Sequence, residues 1–404
     1  MKEIVKSGKL AHVRYDIRGA VMAEAERMSR EGIPIVKLNI GNPAPFGFVT
    51  PQVLRDKMAE KLTDSMGYSD SKGIMEAREA CAKYAKKKGI PNVTVDDVYT
   101  GNGVSELITM SMQAFVDSGD EILVPAPDYP LWTASVTLSG GKAVHYLCDE
   151  ESDWFPDVAD IRRKITPRTK GIVIINPNNP TGALYSEELL LEIVKIAREH
   201  NLVIFSDEIY DRLVMDGLTH TSIASLAPDL FTVTYNGLSK SHLMAGYRCG
   251  FMMLGGPKEH AQSYIEGITL LASMRLCSNV QAQQLLPLAL AYETETKELL
   301  VPGGRFYEQR ECVYNAIRNI PGLSAKKPKA AFYLFPKMDC KRFHILDDEK
   351  MVLDLLREKH ILFTCGTGFN WPQPDHFRIV YLPEKTQLMR AMTDLGDFLQ
   401  GYRQ

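Results

Sequence analysis

The sequence has no Cys-x-x-Cys pair, and its seven cysteines (Cys81, Cys148, Cys249, Cys277, Cys312, Cys340, Cys365) are odd in number and far apart. That is poor material for a disulfide framework or a zinc site, and it fits a reducing compartment. No block of basic residues stands out, and 47 Lys/Arg against 50 Asp/Glu argue against nucleic acid as the main partner. No uncharged apolar run is long enough to span a bilayer. The opening MKEIVKSGKLAHVRYD lacks the apolar centre of a signal peptide. Repeats, low-complexity tracts and Pro/Gly/Ser-rich linkers are missing, as is His-Glu-x-x-His, so no metal site is expected. What remains is a chain of ordinary globular composition whose 404 residues suffice for two or three domains packed directly on one another. A cytoplasmic protein with no membrane contact is expected, with its site between domains.

Between residues 98 and 236 short apolar runs alternate with helix-like ones. VYT (98–100), EILVPAP (121–127), GIVIIN (171–176), NLVIFS (201–206) and FTVTYN (231–236) are strand-sized and nearly continuous in apolar character. Parallel strands covered on both faces have that pattern. After the turn GNG, the run SELITMSMQAFVDSG carries Leu107, Met110, Met112 and Phe115 with helical period. SEELLLEIVKIAREHN (186–201) predicts an amphipathic helix with Ser186 as N-cap and two glutamates in its first turn. The alternation implies a doubly wound α/β domain. After about residue 300 the pattern changes. GGRFYEQRECVYNAIRNI and MVLDLLREKH read as helices, and AAFYLFPKM (330–338) and HFRIVYLP (376–383) as strands of a smaller α+β domain.

Ligands of an open parallel sheet sit beyond the carboxyl ends of its strands. After VYT comes Gly101-Asn102-Gly103-Val104-Ser105, a glycine turn opening a helix, which suits a phosphate. After GIVIIN comes Pro177-Asn178-Asn179-Pro180-Thr181-Gly182, with two amides aimed at the same edge. Asp207 follows NLVIFS, with Tyr210 one helical turn on; Ser239, Lys240 and then Arg248 follow FTVTYN. Each feature alone has a bland reading. Glycine turns are common, a strand-ending Asp is usually a helix cap, a Ser-Lys pair is usually solvated, and a lone His242 is usually structural. Their order along one predicted edge is what points to a site.

Asn179-Pro180-Thr181-Gly182, Asp207-x-x-Tyr210 and Ser239-Lys240 with Arg248 resemble the signature of the class I/II aminotransferases, of pyridoxal-phosphate (PLP) fold type I. The similarity covers the whole chain. LNIGNPAPFGF, GYSDSKG, PAPDYPLW, INPNNPTG, DEIYD, FNWP and HFRIVYLP look like the bacterial glutamate–pyruvate (alanine) aminotransferase subfamily. The pattern departs at Cys249, where a small aliphatic residue is typical, and at Gly237, where many relatives carry a phosphate-binding Ser.

The resemblance implies a large, mainly parallel PLP-binding domain over 46–300, and a small α+β domain from 301–404 with the N-terminal 1–45. It implies Lys240 as the catalytic residue, holding PLP as a Schiff base and then moving a proton. Asp207 would pair with the pyridine nitrogen, Tyr210 and Asn179 would hold the phenolic oxygen, and Tyr129 would stack on the ring. Gly103, Val104, Ser105, Ser239 and Arg248 would hold the phosphate. Arg378 would clamp the substrate α-carboxylate, with Asn179 and the backbone of Gly41 beside it. Tyr68 resembles the tyrosine that reaches the phosphate of a neighbouring subunit, which implies a homodimer with a shared site. Tyr15 and Arg18 fall in the segment that covers the site, and Arg275 reads as structural. The expected reaction is transamination between L-alanine and 2-oxoglutarate, giving pyruvate and L-glutamate. Other amino donors, or a PLP C–S lyase on the same fold, are the alternatives. An NAD-dependent oxidoreductase lacks its third glycine here, and a regulator lacks a spare DNA-binding module.

Overall fold

The computed structural model describes residues 3–13, 19–292 and 295–404. The five apolar runs, with three strands not read from the sequence (β3, β4 and β8), form one eight-stranded sheet: β1 (Val98–Asn102), β2 (Glu121–Ala126), β3 (Lys142–Asp149), β4 (Phe155–Pro156), β5 (Thr169–Ile175), β6 (Val203–Asp207), β7 (Thr232–Gly237) and β8 (Cys249–Gly255). Their spatial order is β1-β8-β7-β6-β5-β2-β3-β4. The central pairs β7·β6, β6·β5, β5·β2 and β2·β3 are parallel. β8 is antiparallel to both neighbours, and β4 to β3, so the sheet is mixed but mainly parallel. This is the expected α/β fold.

Alternation along each strand explains the continuous apolar runs. Ile172 and Ile174 of β5 face a cluster with Leu190, Ile193 and Val194 of the helix Glu187–Glu199. Val173 and Ile175 face the opposite cluster, with Leu107 and Ile108 of the helix Val104–Phe115. Neither face of the strand meets water, so no polar residue is called for. Each such fully buried aliphatic side chain contributes about 1.5–3 kcal/mol. Ser186 caps its helix as expected, its hydroxyl accepting from Leu189 N at 3.3 Å.

The C-terminal residues build a three-stranded antiparallel sheet from β9 (Tyr333–Leu334), β10 (Thr364–Cys365) and β11 (Phe377–Val380), in the order β9-β11-β10. AAFYLFPKM does not form one strand. It breaks at Phe335-Pro336, after which Lys337–Met338 pairs with a different strand, Leu323–Ser324. A proline has no N–H for a ladder, which accounts for the break. N-terminal residues join this part of the chain. Val36–Lys37 pairs in parallel with Ile361–Leu362, and Val21, Ala25, Met28 and Phe48 share a core with Phe306, Phe332 and Leu355. The rings of Phe48 and Phe306 stack with centroids 4.6 Å apart.

Candidate active site

The register of the sheet brings the expected residues to one edge. Gly237 at the end of β7 pairs with Gly250 near the start of β8, and Asn102 at the end of β1 pairs with Cys249. The antiparallel β8 therefore starts at the edge where β1 and β7 end, which carries Arg248 to the same place as Gly103 and Lys240.

Gly103 takes φ +82° directly before the helix Val104–Phe115. The conformation favours glycine, and a Cβ there would lie 2.1 Å from Nη2 of Arg248 and so displace the guanidinium. Arg248 is fixed by Nη1 donating to Ala245 O at 2.8 Å. Val104, Ser105, Ser239 and Arg248 line a cavity of about 300 Å³. Helix-start N–H groups, hydroxyls and a guanidinium together form a cup for an oxyanion. Position 237 cannot add a hydroxyl to it, because a Cβ there would meet Cys249 O at 2.6 Å. Cys249 itself is buried, its thiol 3.3 Å from Ala282 O, so this departure is a matter of packing.

At the floor of the cavity β6 ends in Asp207. Trp132 Nε1 donates to its Oδ2 at 3.2 Å and Ile209 N to its Oδ1 at 3.3 Å. Burial pushes its pKa up to about 6, against these donors and the charge of Lys240. At neutral pH it is mostly an anion, and a cation beside it would relieve the cost of burying that charge. Behind this turn Glu208, Asp211 and His220 gather around Lys88, whose Nζ lies 3.0 Å from Asp211 Oδ2, 2.7 Å from His220 Nδ1 and 3.8 Å from Glu208 Oε2. Burial alone would raise the Asp211 carboxyl, but Lys88, His220 and Tyr84 hold it down at about 2. The Asp207–Tyr210 turn is thereby anchored from behind.

Tyr210 and Asn179 line the same cavity. The Tyr210 hydroxyl is 2.6 Å from that of Tyr333, and burial keeps the phenol protonated. Asn179 Oδ1 accepts from Arg378 Nη1 at 2.9 Å, which leaves its amide N–H groups to donate elsewhere. Asn178 does not join it: its Oδ1 accepts from Thr181 N and Oγ1 at 3.2 and 2.8 Å, so only one of the two amides serves the cavity.

Lys240 Nζ donates to Gly41 O at 2.7 Å. Burial, with Arg378 and Arg248 nearby, brings its pKa down to about 8 against the pull of Asp207. Arg378 on β11 reaches in from the C-terminal sheet, its guanidinium 4.5 Å from the Phe369 ring and 4.6 Å from the Tyr333 ring, with Nη2 donating to Asn39 O. Gly41 and Tyr129 also line the cavity. Tyr68 does not; it is 83% exposed. Arg275 braces the structure, donating to Glu106 Oε2 and Thr100 O, both at 2.7 Å. Tyr15 and Arg18 lie outside the described residues. His242 is structural, with Nε2 2.8 Å from Ala289 O.

Sequence reasoning missed Asn39, Ile40, Ile175, Ile209, Ala245 and Tyr333, which complete the lining. Ile175 and Ile209 flank residues already singled out, and Asn39 and Ile40 precede Gly41. Adjacency was a usable signal for these, but Tyr333 offered none.

A mainly parallel sheet whose carboxyl edge carries an oxyanion cup, a buried acid and a lysine of lowered pKa has the architecture of a fold type I transferase. The chain belongs to the class I and II aminotransferases, whose profile it matches over residues 33–395. It is 58% identical over 404 residues to the glutamate–pyruvate aminotransferase AlaA of Escherichia coli (strain K12), covering all of both chains. It is 53% identical to the alanine aminotransferase of Mycobacterium tuberculosis (strain ATCC 25618 / H37Rv), over 100% of this chain and 94% of that one. The crystal structure of an aminotransferase from Escherichia coli superposes with a TM-score of 0.99 over the full length of both chains at 58% identity. Alanine aminotransferase from Pyrococcus furiosus superposes with 0.90 at 38% identity, over 98% of this chain and 100% of that one.

Proposed function

We propose that the protein is a PLP-dependent alanine aminotransferase that moves an amino group between L-alanine and 2-oxoglutarate, giving pyruvate and L-glutamate. The observation that carries the reading is Lys240. Its buried amine has a pKa near 8, set between the acid Asp207 and the guanidinium groups of Arg378 and Arg248. The residues fit the cofactor: the cup around Gly103 suits its phosphate, and buried Asp207 suits a protonated ring nitrogen. Full-length similarity to proteins named for glutamate–pyruvate and alanine transamination supports the substrate pair.

When bound, PLP supplies the electron sink that makes the substrate Cα proton acidic. Asp207 would hold the ring nitrogen protonated, Tyr210 O–H and the Asn179 amide would donate to the phenolic oxygen, and Tyr129 would pack against the ring. Arg378 binds the α-carboxylate through a planar fork and so fixes which Cα bond faces Lys240. Lys240 Nζ, a neutral amine in a large fraction of molecules near pH 8, would take up the substrate Cα proton and hold it for return.

The working unit in this reading is a homodimer with a shared site. Tyr68 and Met66 are more than four-fifths exposed, and Met274 and Leu276 are also exposed. The two segments adjoin, because Arg275 Nη2 donates to Ser71 O at 3.2 Å. An apolar patch of this kind beside the cup suits a second copy whose site receives Tyr68. Residues 46–300 are read as the large domain, and 1–45 with 301–404 as the small one that carries Arg378. Among the described residues no helix is long and apolar enough to cross a membrane, and the free, mostly buried cysteines suit a reducing cytoplasm.

Donor and acceptor profiling of the purified protein, with its visible spectrum, tests the reading. A pH-dependent yellow band and turnover fastest with alanine and 2-oxoglutarate are expected. A colourless protein that takes up no added PLP defeats the cofactor assignment. Alanine turnover no better than that of aspartate or aromatic donors defeats the substrate assignment, and ammonia release without an oxo acid points to a lyase.

A further inference from the structure

Tyr333 touches three members of the site at once. It is buried at 2% exposure on β9, and β9 pairs with β11, the strand of Arg378. Its hydroxyl is 2.6 Å from the Tyr210 hydroxyl, and the two rings meet edge to face at 5.6 Å and 83°. A Cβ on Gly41 would lie 2.1 Å from the Tyr333 hydroxyl oxygen, so the backbone that receives Lys240 Nζ is packed against this phenol. The Arg378 guanidinium lies 4.6 Å from the Tyr333 ring centre.

The direction of the phenol–phenol bond follows from counting protons. Each phenol has one O–H, and burial keeps both protonated. If Tyr210 spends its proton on an acceptor in the cavity, its oxygen can only accept from Tyr333. The pair is then a directed chain from Tyr333 to Tyr210 to the cavity, and each donor strengthens the next. A cation over the Tyr333 ring makes that hydroxyl a better donor. A carboxylate arriving at Arg378 neutralises the cation and weakens the chain.

We propose that Tyr333 is a positioning residue that donates its proton to Tyr210 and couples carboxylate binding at Arg378 to the donor strength of Tyr210. It is a second line between clamp and cofactor, parallel to the Arg378–Asn179 bond. The inference rests on the proposed PLP reading, in which Tyr210 donates to the cofactor's phenolic oxygen.

The test uses the PLP-loaded enzyme and the pH midpoint of its visible band, read without and with saturating propanoate, an alanine analogue with no amine to react. Tyr210 donation stabilises the deprotonated form of the chromophore. Tyr333→Phe removes one donor, so the midpoint moves up by about half to one pH unit, and the shift caused by propanoate shrinks. In a Tyr210→Phe background the same Tyr333→Phe change moves the midpoint by less than about 0.2 unit, because the chain is already cut. Thermal unfolding of each loaded variant checks that the fold is retained. A Tyr333→Phe midpoint equal to that of the wild type in both states, or an undiminished effect in the Tyr210→Phe background, overturns the coupling. A wild-type protein with no pH-dependent band overturns the PLP reading itself, and the coupling with it.

Discussion

Arg378 and Asn179, 199 positions apart in sequence, are joined by a 2.9 Å hydrogen bond from Nη1 to Oδ1. The group proposed to hold the substrate carboxylate and the group proposed to hold the cofactor's phenolic oxygen thus form one unit. The Phe369 and Tyr333 rings lie 4.5 and 4.6 Å from the guanidinium, and Asn179 Oδ1 and Asn39 O accept from its two Nη groups, so its fork is oriented before any ligand arrives.

Arg378→Lys keeps the positive charge and loses the fork. A lysine can make only one of the two parallel bonds to a carboxylate and none to Asn179 in the same geometry. The expected result is a fall of ~10–100-fold in kcat/KM for alanine and for 2-oxoglutarate, equivalent to about 1.5–3 kcal/mol. Steady-state kinetics with both substrates measure it, and a change below twofold would rule out the clamp.

In the proposed reading Lys240 sets the pH dependence of cofactor capture. Its amine has a pKa near 8, lowered by burial and by the neighbouring arginines. Only the neutral amine attacks an aldehyde, so PLP uptake by the cofactor-free protein should accelerate about tenfold per pH unit below 8 and level off above it. Stopped-flow absorbance from pH 6 to 9.5 gives the profile. A break near 10, the value of an ordinary lysine, would contradict the buried environment. Lys240→Ala should show no such uptake and lose essentially all transamination.

Much of this edge was readable in the sequence because Asp207 ends β6, and Asn179 and Lys240 lie within a few residues of the ends of β5 and β7, strands whose two faces are buried. β5 through β7 are buried and mainly apolar, and Asp207 and Lys240 stand at or just beyond their carboxyl ends. What could not be read is long-range. Trp132 donates to Asp207 across 75 positions, and nothing in PAPDYPLW distinguishes that indole from a core residue. β8 was not among the runs read as strands, and its direction was hidden in any case, because an all-buried strand has the same composition whether parallel or antiparallel. Tyr333 was hidden because AAFYLFP reads only as an apolar strand. Its role comes from the OH···OH contact with Tyr210, and composition carries no trace of that.

Gly103→Ala should separate cup from fold. The substitution meets a backbone at φ +82° and places a Cβ 2.1 Å from Arg248 Nη2, so the Arg248 guanidinium must shift from its place in the cup. The strain costs about 1–2 kcal/mol, tolerable for a chain with three large clusters around its sheet. Affinity for PLP should fall at least ~10-fold, since one charge-assisted contact is lost. Fluorescence titration of the cofactor-free protein measures the affinity, and an unchanged value would remove Arg248 from the phosphate site.

Protonation of Asp128 links stability to the geometry of the site. Asp128 is fully buried beside Tyr129. Its Oδ1 accepts from Asn370 Nδ2 at 2.8 Å and its Oδ2 lies 2.7 Å from Thr133 Oγ1, which is 2.9 Å from His145 Nε2. Burial pushes the Asp128 pKa up to about 7, against the donors Asn370 and Thr133, while burial and Lys164 bring His145 down to about 4. Below pH 7 the neutral acid can donate to the Thr133 hydroxyl, which donates in turn to neutral His145, and every group is satisfied. The folded pKa exceeds the unfolded value of about 3.9, so this contribution is complete below pH 4 and is lost as pH rises toward 7. Asparagine mimics the neutral acid, its N–H replacing the O–H and its carbonyl still accepting from Asn370. Relative to the wild type, Asp128→Asn should therefore gain roughly 2–3 kcal/mol between pH 5 and pH 8, measured by urea unfolding of the cofactor-free protein. Because Asn370 follows Phe369, whose ring lies 4.5 Å from the Arg378 guanidinium, Asp128→Asn should keep the KM for alanine within a few-fold. Asp128→Ala frees the 367–370 turn and should raise it. Equal stability differences at the two pH values would show that Asp128 does not titrate in this range.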